Sequence, residues 1–231
     1  MLTNEEIKCL SSKKISFNAN DNIADYLEEN KRYYDLKDIE HNVTQAFEAV
    51  LDTLLIDRRN DPNSVGTANR LAKTFIHELM AGRYYPKPNV TAFPNEGEHK
   101  YEGMLVVRAE LTSLCAHHWQ IMPGVAYIGI IPNGKVLGLS KYVRLAQWCA
   151  RRGQIQEQLC NQIAKEVINA ADTKDVAVYL AMRHGCVEHR GVQAHSSLTQ
   201  TTVLHGQFTQ ADVKAEFMNN IQLQEKATDA R

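Results

Sequence analysis

Apolar side chains in the first third of the chain recur every three to four residues, the spacing of an amphipathic helix. The pattern predicts one helix from about Asp38 to Arg58 and a second that has Thr67 as its N-cap. Proline and asparagine are frequent over residues 84–99, which predicts a connector. We therefore expect a helical region and connector over residues 1–95.

From residue 104 onward, short runs rich in β-branched residues alternate with longer helical patterns. Strands are predicted at 104–111, 125–131, 176–182 and 198–208, and helices at 140–152 and 155–171. The order is strand–strand–helix–helix–strand–strand, followed by a polar helix from about Gln210. This order is typical of an α+β fold with mainly antiparallel pairing, which we expect to form one domain over residues 96–231.

Composition excludes several classes of function. The 231 residues carry a formal net charge of -1, which excludes a generally basic nucleic-acid-binding protein. No apolar run approaches the roughly 18 residues that a membrane helix needs, and the start lacks the apolar segment of a signal peptide. We expect a cytoplasmic protein that has neither a nucleic-acid nor a membrane partner.

Cysteine and histidine occur together at two predicted strand ends. Cys115 and His118 are three positions apart after one strand, and His184 and Cys186 end another. Thiolate and imidazole are the ligands that zinc prefers, and an antiparallel sheet can bring two strand ends together. Cys115, His118 and Cys186 would leave a fourth position for water, and His117 and His184 would be suited to proton transfer.

The same cysteines and histidines also have structural explanations. The five cysteines are an odd number scattered along the chain, which argues against a disulfide framework but is compatible with simple packing. The two adjacent histidines could be a strand-end pair, one buried and one solvated. A closed structural zinc site would require His117 or His184 as its fourth ligand.

A second group of residues has the chemistry of an anion site. Ser140 can cap a predicted helix whose first turns carry Lys141 and Arg144 on one face, and Arg190 follows Cys186 by four residues. The alternative for these cations is a solvated surface.

Two further pairs of side chains have both a structural and a functional reading. Arg70 and Lys73 lie beside the apolar face of the second helix, which is compatible with a solvated surface. Gln156 and Glu157 begin another helix, where Glu157 could serve as a simple first-turn acid. A carboxylate there could also accept two hydrogen bonds from a guanine edge and so reject adenine.

Together these residues resemble GTP cyclohydrolase I of the type with a catalytic zinc, in order and spacing from about Asp38 to Phe208. The motifs are Thr67-Ala68-Asn69-Arg70, Thr112-Ser113-Leu114-Cys115-Ala116-His117-His118, Gly138-Leu139-Ser140-Lys141, Gln154-Ile155-Gln156-Glu157, His184-Gly185-Cys186, Arg190-Gly191-Val192, and the segment from Thr199-Gln200-Thr201 to Gly206-Gln207-Phe208. No single motif is specific, but the set is.

The resemblance implies a tunnelling fold (T-fold), in which small antiparallel sheets from several subunits close into a barrel. It implies a large homo-oligomer, usually a decamer, with active sites at subunit interfaces. The implied reaction is zinc-dependent hydrolytic opening of the guanine ring of GTP. Formate is released and 7,8-dihydroneopterin triphosphate is formed, the first step of pterin, folate or deazaguanine synthesis.

The resemblance also implies a role for each matched residue. The zinc ligands would be Cys115, His118 and Cys186, and the acid/base groups would be His117 and His184. Gln156 and Glu157 would bind the guanine. The triphosphate would be held by Ser140, Lys141, Arg144 and Arg190, together with Arg70 and Lys73 from the helical part of a neighbouring subunit.

The chain departs from the family pattern at a few positions. Ala116 replaces the usual Glu of Cys-Glu-His-His, a change that could cost about 10–100-fold in metal affinity or rate. Ala68 replaces a usual Pro, and Glu188 lies in a stretch that is commonly less acidic. We expect an active enzyme. The alternatives are a pseudo-enzyme that binds a nucleotide or a partner, and a related pterin or deazapurine reaction on the same fold.

Overall fold

The computed structural model describes residues 16–31 and 35–229. The chain divides into two compact units, with the boundary between Pro86 and Lys87. Each unit is described separately. The assignment of 1–95 and 96–231 as functional domains stays a prediction.

The N-terminal unit is helical. Its elements are α1 (Ala24–Glu29), α2 (Leu36–Thr53), α3 (Thr67–Lys73), which continues as a π-helix over Thr74–Leu79, and α4 (Ala81–Tyr84). Asp35 caps α2 by accepting a hydrogen bond from the Lys37 amide. Helix α2 ends before the predicted Arg58, because Leu55 adopts a left-handed conformation (φ 58°) and the Arg58 side chain folds back onto Asp52 at 2.8 Å.

The N-cap of helix α3 lies one residue before the predicted one. Gly66, not Thr67, is the N-cap, and its φ of 76° is a left-handed value that glycine adopts without strain. The Thr67 hydroxyl instead accepts a hydrogen bond from Arg70 at 2.9 Å.

The C-terminal unit contains two sheets. Its elements are β1 (Ala92–Pro94), β2 (Leu105–Cys115), β3 (Ile121–Ile130), β4 (Lys135–Leu137), α5 (Leu139–Ala150), β5 (Gly153–Gln154), α6 (Gln156–Ala171), β6 (Val176–Met182), α7 (Gly185–Glu188), β7 (Thr199–Leu204), a 3₁₀-helix (Gly206–Thr209) and α8 (Ala211–Asp229). Strand β1 lies inside the predicted connector and pairs with β4. Strand β6 begins and ends as predicted, because every residue in it is buried and apolar.

The main sheet has the order β5-β2-β3-β6-β7, and its four long strands are antiparallel. Helices α5 and α6 come between β3 and β6 in the chain, which is the β-β-α-α-β-β order expected from the sequence. The two-residue strand β5 pairs parallel to the end of β2, with Gln154 opposite Cys115. This mixed α/β architecture fits the T-fold.

Both faces of this sheet are covered by helices. Leu145 of α5 and Ile163 of α6 are fully buried in the core on one face. On the other face, Phe217 of α8 and Phe208 belong to the same buried cluster as Tyr127 and Tyr179. Burial of each such large side chain contributes about 1.5–3 kcal/mol, so the two layers fix the strands whose ends carry the predicted ligands.

No helix within residues 16–31 and 35–229 is both long enough and apolar enough to cross a membrane.

Candidate active site

The loop after β2 holds the first pair of predicted ligands. The Cys115 amide donates to the Gln120 carbonyl at 2.9 Å, and the Trp119 amide donates back to the Cys115 carbonyl at 2.9 Å. Trp119 takes a left-handed conformation (φ 52°), which tightens the turn between β2 and β3. This turn carries His117 and His118 at its exposed side, directly after the buried Cys115.

The turn after β6 brings the second segment to the same place. Gly185 lies so close to β3 that a Cβ atom on it would come 2.9 Å from the Ile121 carbonyl oxygen. The absence of a side chain at Gly185 therefore allows the short helix α7 to approach the strand. As a result, the sulfur of Cys186 lies 3.7 Å from the sulfur of Cys115.

Cys115, His118 and Cys186 form a group with the dimensions of a zinc site. Their ligand atoms all lie within 4.8 Å of one another. Two sulfurs bound tetrahedrally to zinc at about 2.3 Å are about 3.8 Å apart, close to the observed sulfur–sulfur distance. Burial and the neighbouring Cys115 thiol raise the pKa of Cys186, which is the electrostatic situation that a bound cation would relieve.

Arg190 is the predicted cation that lies beside this group. Its Nη1 donates to Nε2 of His118 at 2.8 Å. His117 is close as well, with its Nδ1 3.9 Å from the Cys115 sulfur. The structure therefore brings a guanidinium and a second imidazole to the predicted ligands, as the sequence motifs indicated.

His184 is held from one side by Gln156. The His184 Nε2 lies 2.8 Å from Oε1 of Gln156, and Nε2 of Gln156 donates to the Thr199 carbonyl at 3.0 Å and to the Thr201 hydroxyl at 3.1 Å. These donor bonds fix the amide orientation, so the histidine must donate from Nε2. In the neutral ring the free lone pair is then on Nδ1.

The pKa of His184 is lowered, mainly because burial disfavours the charged ring, against the raising influence of Glu157 and Glu188. A lowered value keeps the ring neutral near pH 7, where Nδ1 can accept a proton. Glu157 itself is exposed in the first turn of α6.

The other residues of the predicted anion site, Ser140, Lys141 and Arg144, lie on α5. The last turn of α5 is near Cys115, because Gln154, opposite Cys115 on β5, donates to the Cys149 carbonyl at 2.6 Å. The helix has 12 residues and is therefore about 18 Å long. Lys141 lies in the first turn, at the far end, and Arg144 lies near the middle of the helix.

Ser140 does not cap α5 as predicted. The helix begins at Leu139 and its N-cap is Gly138, without a side-chain hydrogen bond. Ser140 is exposed one residue inside the helix.

Arg70 and Lys73 belong to the N-terminal unit. Arg70 donates to the Val65 carbonyl at 3.0 Å and to Thr67 at 2.9 Å, and so holds the loop that precedes its own helix. Lys73 ends α3 and is exposed.

Sequence reasoning missed the partners of the turn after β6. Glu188 is only 3% exposed, and its carboxylate is paired with Arg183. The available signal was a pair of opposite charges flanking His184 and Cys186. Sequence reasoning also assigned Gln156 to guanine only, whereas its side-chain amide is bonded within the protein.

Comparison with known proteins supplies the family. A family model described as GTP cyclohydrolase I matches residues 26–222. GTP cyclohydrolase 1 of Aeromonas salmonicida is 41% identical over 75% of this chain and 79% of its own length. The Flavobacterium johnsoniae protein of the same name is 36% identical over 82% and 86%, and that of Campylobacter jejuni subsp. doylei is 41% identical over 77% and 95%. The chain belongs to the GTP cyclohydrolase I family, which confirms the resemblance drawn from its motifs.

Proposed function

We propose that the protein is a zinc-dependent GTP cyclohydrolase I. It opens the guanine ring of GTP by hydrolysis, releases formate and yields 7,8-dihydroneopterin triphosphate. This product begins pterin, folate or deazaguanine synthesis in the cytoplasm. The observation that carries the proposal is the Cys115, His118 and Cys186 cluster beside the half-buried His184, in a chain of this family.

The metal would be held by the two thiolates and one imidazole. The 3.7 Å between the sulfurs suits zinc, and three protein ligands leave a position open, as in catalytic rather than structural zinc sites. Zinc, when bound, supplies the Lewis acidity that makes water nucleophilic near pH 7.

Two histidines carry the proton transfers. Nδ1 of His184 accepts a proton because Gln156 holds the other ring nitrogen as a donor. His117, exposed beside Cys115, is the second acid/base group and can exchange protons with solvent.

Glu157 selects guanine. Its carboxylate can accept from both N1–H and the exocyclic amino group of guanine, whereas adenine would leave the carboxylate unpaired. Its proximity to His184, whose pKa its charge raises, supports a guanine position next to the metal ligands. Gln156 supports this position by orienting the start of α6.

The triphosphate would be bound by cations from more than one subunit. Arg190 contacts His118 of its own chain, whereas Ser140 and Lys141 lie in the first turn of α5, at the end away from Cys115, and Arg144 lies near the middle of that helix. This separation supports a homo-oligomer, a decamer closed as a barrel, in which a neighbour supplies the α5 group. Arg70 and Lys73, from the helical part of a neighbouring subunit, would complete the anion site.

The test is turnover of GTP by purified protein loaded with zinc. We expect formate and the oxidised, fluorescent pterin in equal amounts. Cys186→Ala should lose zinc and turnover together. The matched control is Cys149→Ala, because burial raises the pKa of Cys149 to about 12 and keeps that thiol protonated, so zinc content should be unchanged. Full turnover by Cys186→Ala would contradict the proposal.

Ala116 favours a second candidate, a protein that binds GTP without opening it. Ala116 follows β2 directly and donates from its amide to the Gln154 carbonyl at 3.2 Å, so a carboxylate at this position would lie next to the predicted ligands. This candidate predicts GTP binding with no formate. Ala116→Glu would then restore release of formate, whereas an already active protein needs no such change.

A further inference from the structure

Arg183 and Glu188 flank the turn after β6, which carries the predicted ligand Cys186. Nε of Arg183 donates to Oε1 of Glu188 at 2.5 Å, and Nη2 donates to Oε2 at 3.1 Å. Between the two residues in the chain lie His184, Gly185, Cys186 and Val187. The pair therefore closes a loop around one acid/base group and one ligand.

The turn inside this loop has little structure of its own. Helix α7 has four residues, and the amides of both Val187 and Glu188 donate to the same His184 carbonyl at 2.9 Å. A single helical turn is not stable by itself, because nucleation fixes several dihedrals for few hydrogen bonds. Its geometry must therefore be imposed from outside.

The anchor at the start of the loop is the sheet. The Arg183 amide donates to the Pro123 carbonyl on β3 at 2.9 Å, which fixes the backbone where β6 ends. The side chain of Arg183 then reaches forward over five residues to Glu188. In this way the last residue of the turn is tied to a point on the rigid sheet.

The burial of the two partners is unequal. The Glu188 side chain is 4% exposed, whereas that of Arg183 is 56% exposed. A buried carboxylate is costly unless it is paired, and its two-point contact with a guanidinium fixes orientation as well as distance. The Nε2 atom of His189 lies 3.8 Å from Oε2 of Glu188, which is beyond hydrogen-bonding distance. Arg183 is therefore the partner that holds the carboxylate.

We propose that Arg183 and Glu188 are a positioning pair that sets the Cys186 sulfur, and the adjacent His184 ring, in the geometry that binds the metal. Neither residue is a metal ligand. Each acts through the turn that it closes. The inference rests on the proposed metal site, and it adds to that site the part of the chain that preorganises it.

The experiment is a cobalt titration of the metal-free protein, followed by absorption spectroscopy. Co²⁺ reports thiolate ligation and tetrahedral geometry directly. The variants are Glu188→Gln, Arg183→Gln, Arg183→Lys and the double variant Arg183→Gln/Glu188→Gln. The control is Glu166→Gln, which breaks the 2.6 Å ion pair with Lys87 in the same unit.

We expect the single glutamine variants to weaken cobalt affinity by about 10–100-fold, with a weaker thiolate band. Arg183→Gln should be the worse of the two because it leaves a buried carboxylate without its guanidinium. Arg183→Lys should retain more cobalt affinity than Arg183→Gln, because lysine keeps the positive charge but cannot make the two-point contact of a guanidinium with the carboxylate. The double variant should lose less than the product of the single losses, and Glu166→Gln should match the wild type.

A merely structural role would give a different result. In that case the variants would melt at a lower temperature without metal, but the folded fraction would bind cobalt with unchanged affinity and spectrum, which would overturn the inference. If Arg183→Gln does not fold, Glu188→Gln decides, since the exposed Arg183 can be hydrated. An absence of thiolate bands in the wild type would refute the metal site itself and the positioning pair with it.

Discussion

At the scale of single residues, the buried amide of Gln156 orients His184, a predicted acid/base group. It is 1% exposed, and its oxygen and nitrogen reach His184, Thr199 and Thr201. Such a side chain makes the histidine orientation and tautomer a property of the fold. It also joins α6 and β7 to the turn after β6.

Gln156→Leu should therefore lower the free energy of unfolding by about 1–3 kcal/mol, because it leaves buried polar partners unsatisfied. It should also lower kcat, since Nε2 of His184 loses its acceptor. Urea unfolding and steady-state kinetics with GTP measure the two effects. The control is Gln147→Leu, which removes only a long 3.4 Å bond to the Glu110 carbonyl and should change neither. A higher KM with unchanged kcat would instead assign Gln156 to guanine binding.

At the scale of elements, the site depends on how closely β6 approaches β3. Gly124 lies opposite Met182 in the register, one residue before Arg183. A Cβ atom on Gly124 would come 2.3 Å from the Ala181 carbonyl oxygen and 2.7 Å from the Met182 Cα. Both are backbone atoms, so the strands would have to separate.

Gly124→Ala should thus destabilise the fold by about 1–3 kcal/mol through overpacking and weaken metal binding, because the displaced end of β6 carries the turn with Cys186. Thermal unfolding and a zinc titration provide the measurement. Gly134→Ala is the matched control, since a Cβ there meets nothing within 4 Å, and its stability should be unchanged or slightly higher. Equal behaviour of the two variants would show that this strand contact does not support the site.

At the scale of the whole molecule, Lys141 and the predicted metal ligands lie towards opposite ends of α5. Lys141 starts the helix, whereas Cys115 is next to its last turn. Lys141 and Cys149 are eight positions apart in this helix, which separates them by about 12 Å along its axis. The proposed oligomer resolves this by pairing the ends of different subunits.

Mixed oligomers test this arrangement. Cys186→Ala and Lys141→Ala should each be nearly inactive alone, whereas co-refolded equal mixtures should regain about a quarter of wild-type turnover, because a quarter of the interfaces combine two intact contributions. GTP turnover of the mixture, compared with the two variants mixed without refolding, is the measurement. Activity that never exceeds that of the single variants would mean that each chain builds its site alone.

The sequence by itself determined much of this protein. Hydrophobic periodicity predicted the β-β-α-α-β-β order and ligand chemistry predicted the Cys115, His118 and Cys186 group, because both are local properties of the sequence. The resemblance of the motif set pointed to the family. Composition also limited the classes of function before any element was placed. The ends of α2 and α3 were less certain, since a left-handed residue or glycine cap depends on its neighbours.

Only the tertiary structure decided which distant side chains meet. The partnership of Gln156 with His184 and of Arg183 with Glu188, and the distance of Lys141 from Cys115, follow from strand register and helix direction. Spacing along the chain does not encode these relations, because burial of the sheet faces fixes the packing of α5, α6 and the turn after β6 together. The sequence therefore predicts which residues belong to the site, but their geometry arises from the packed core.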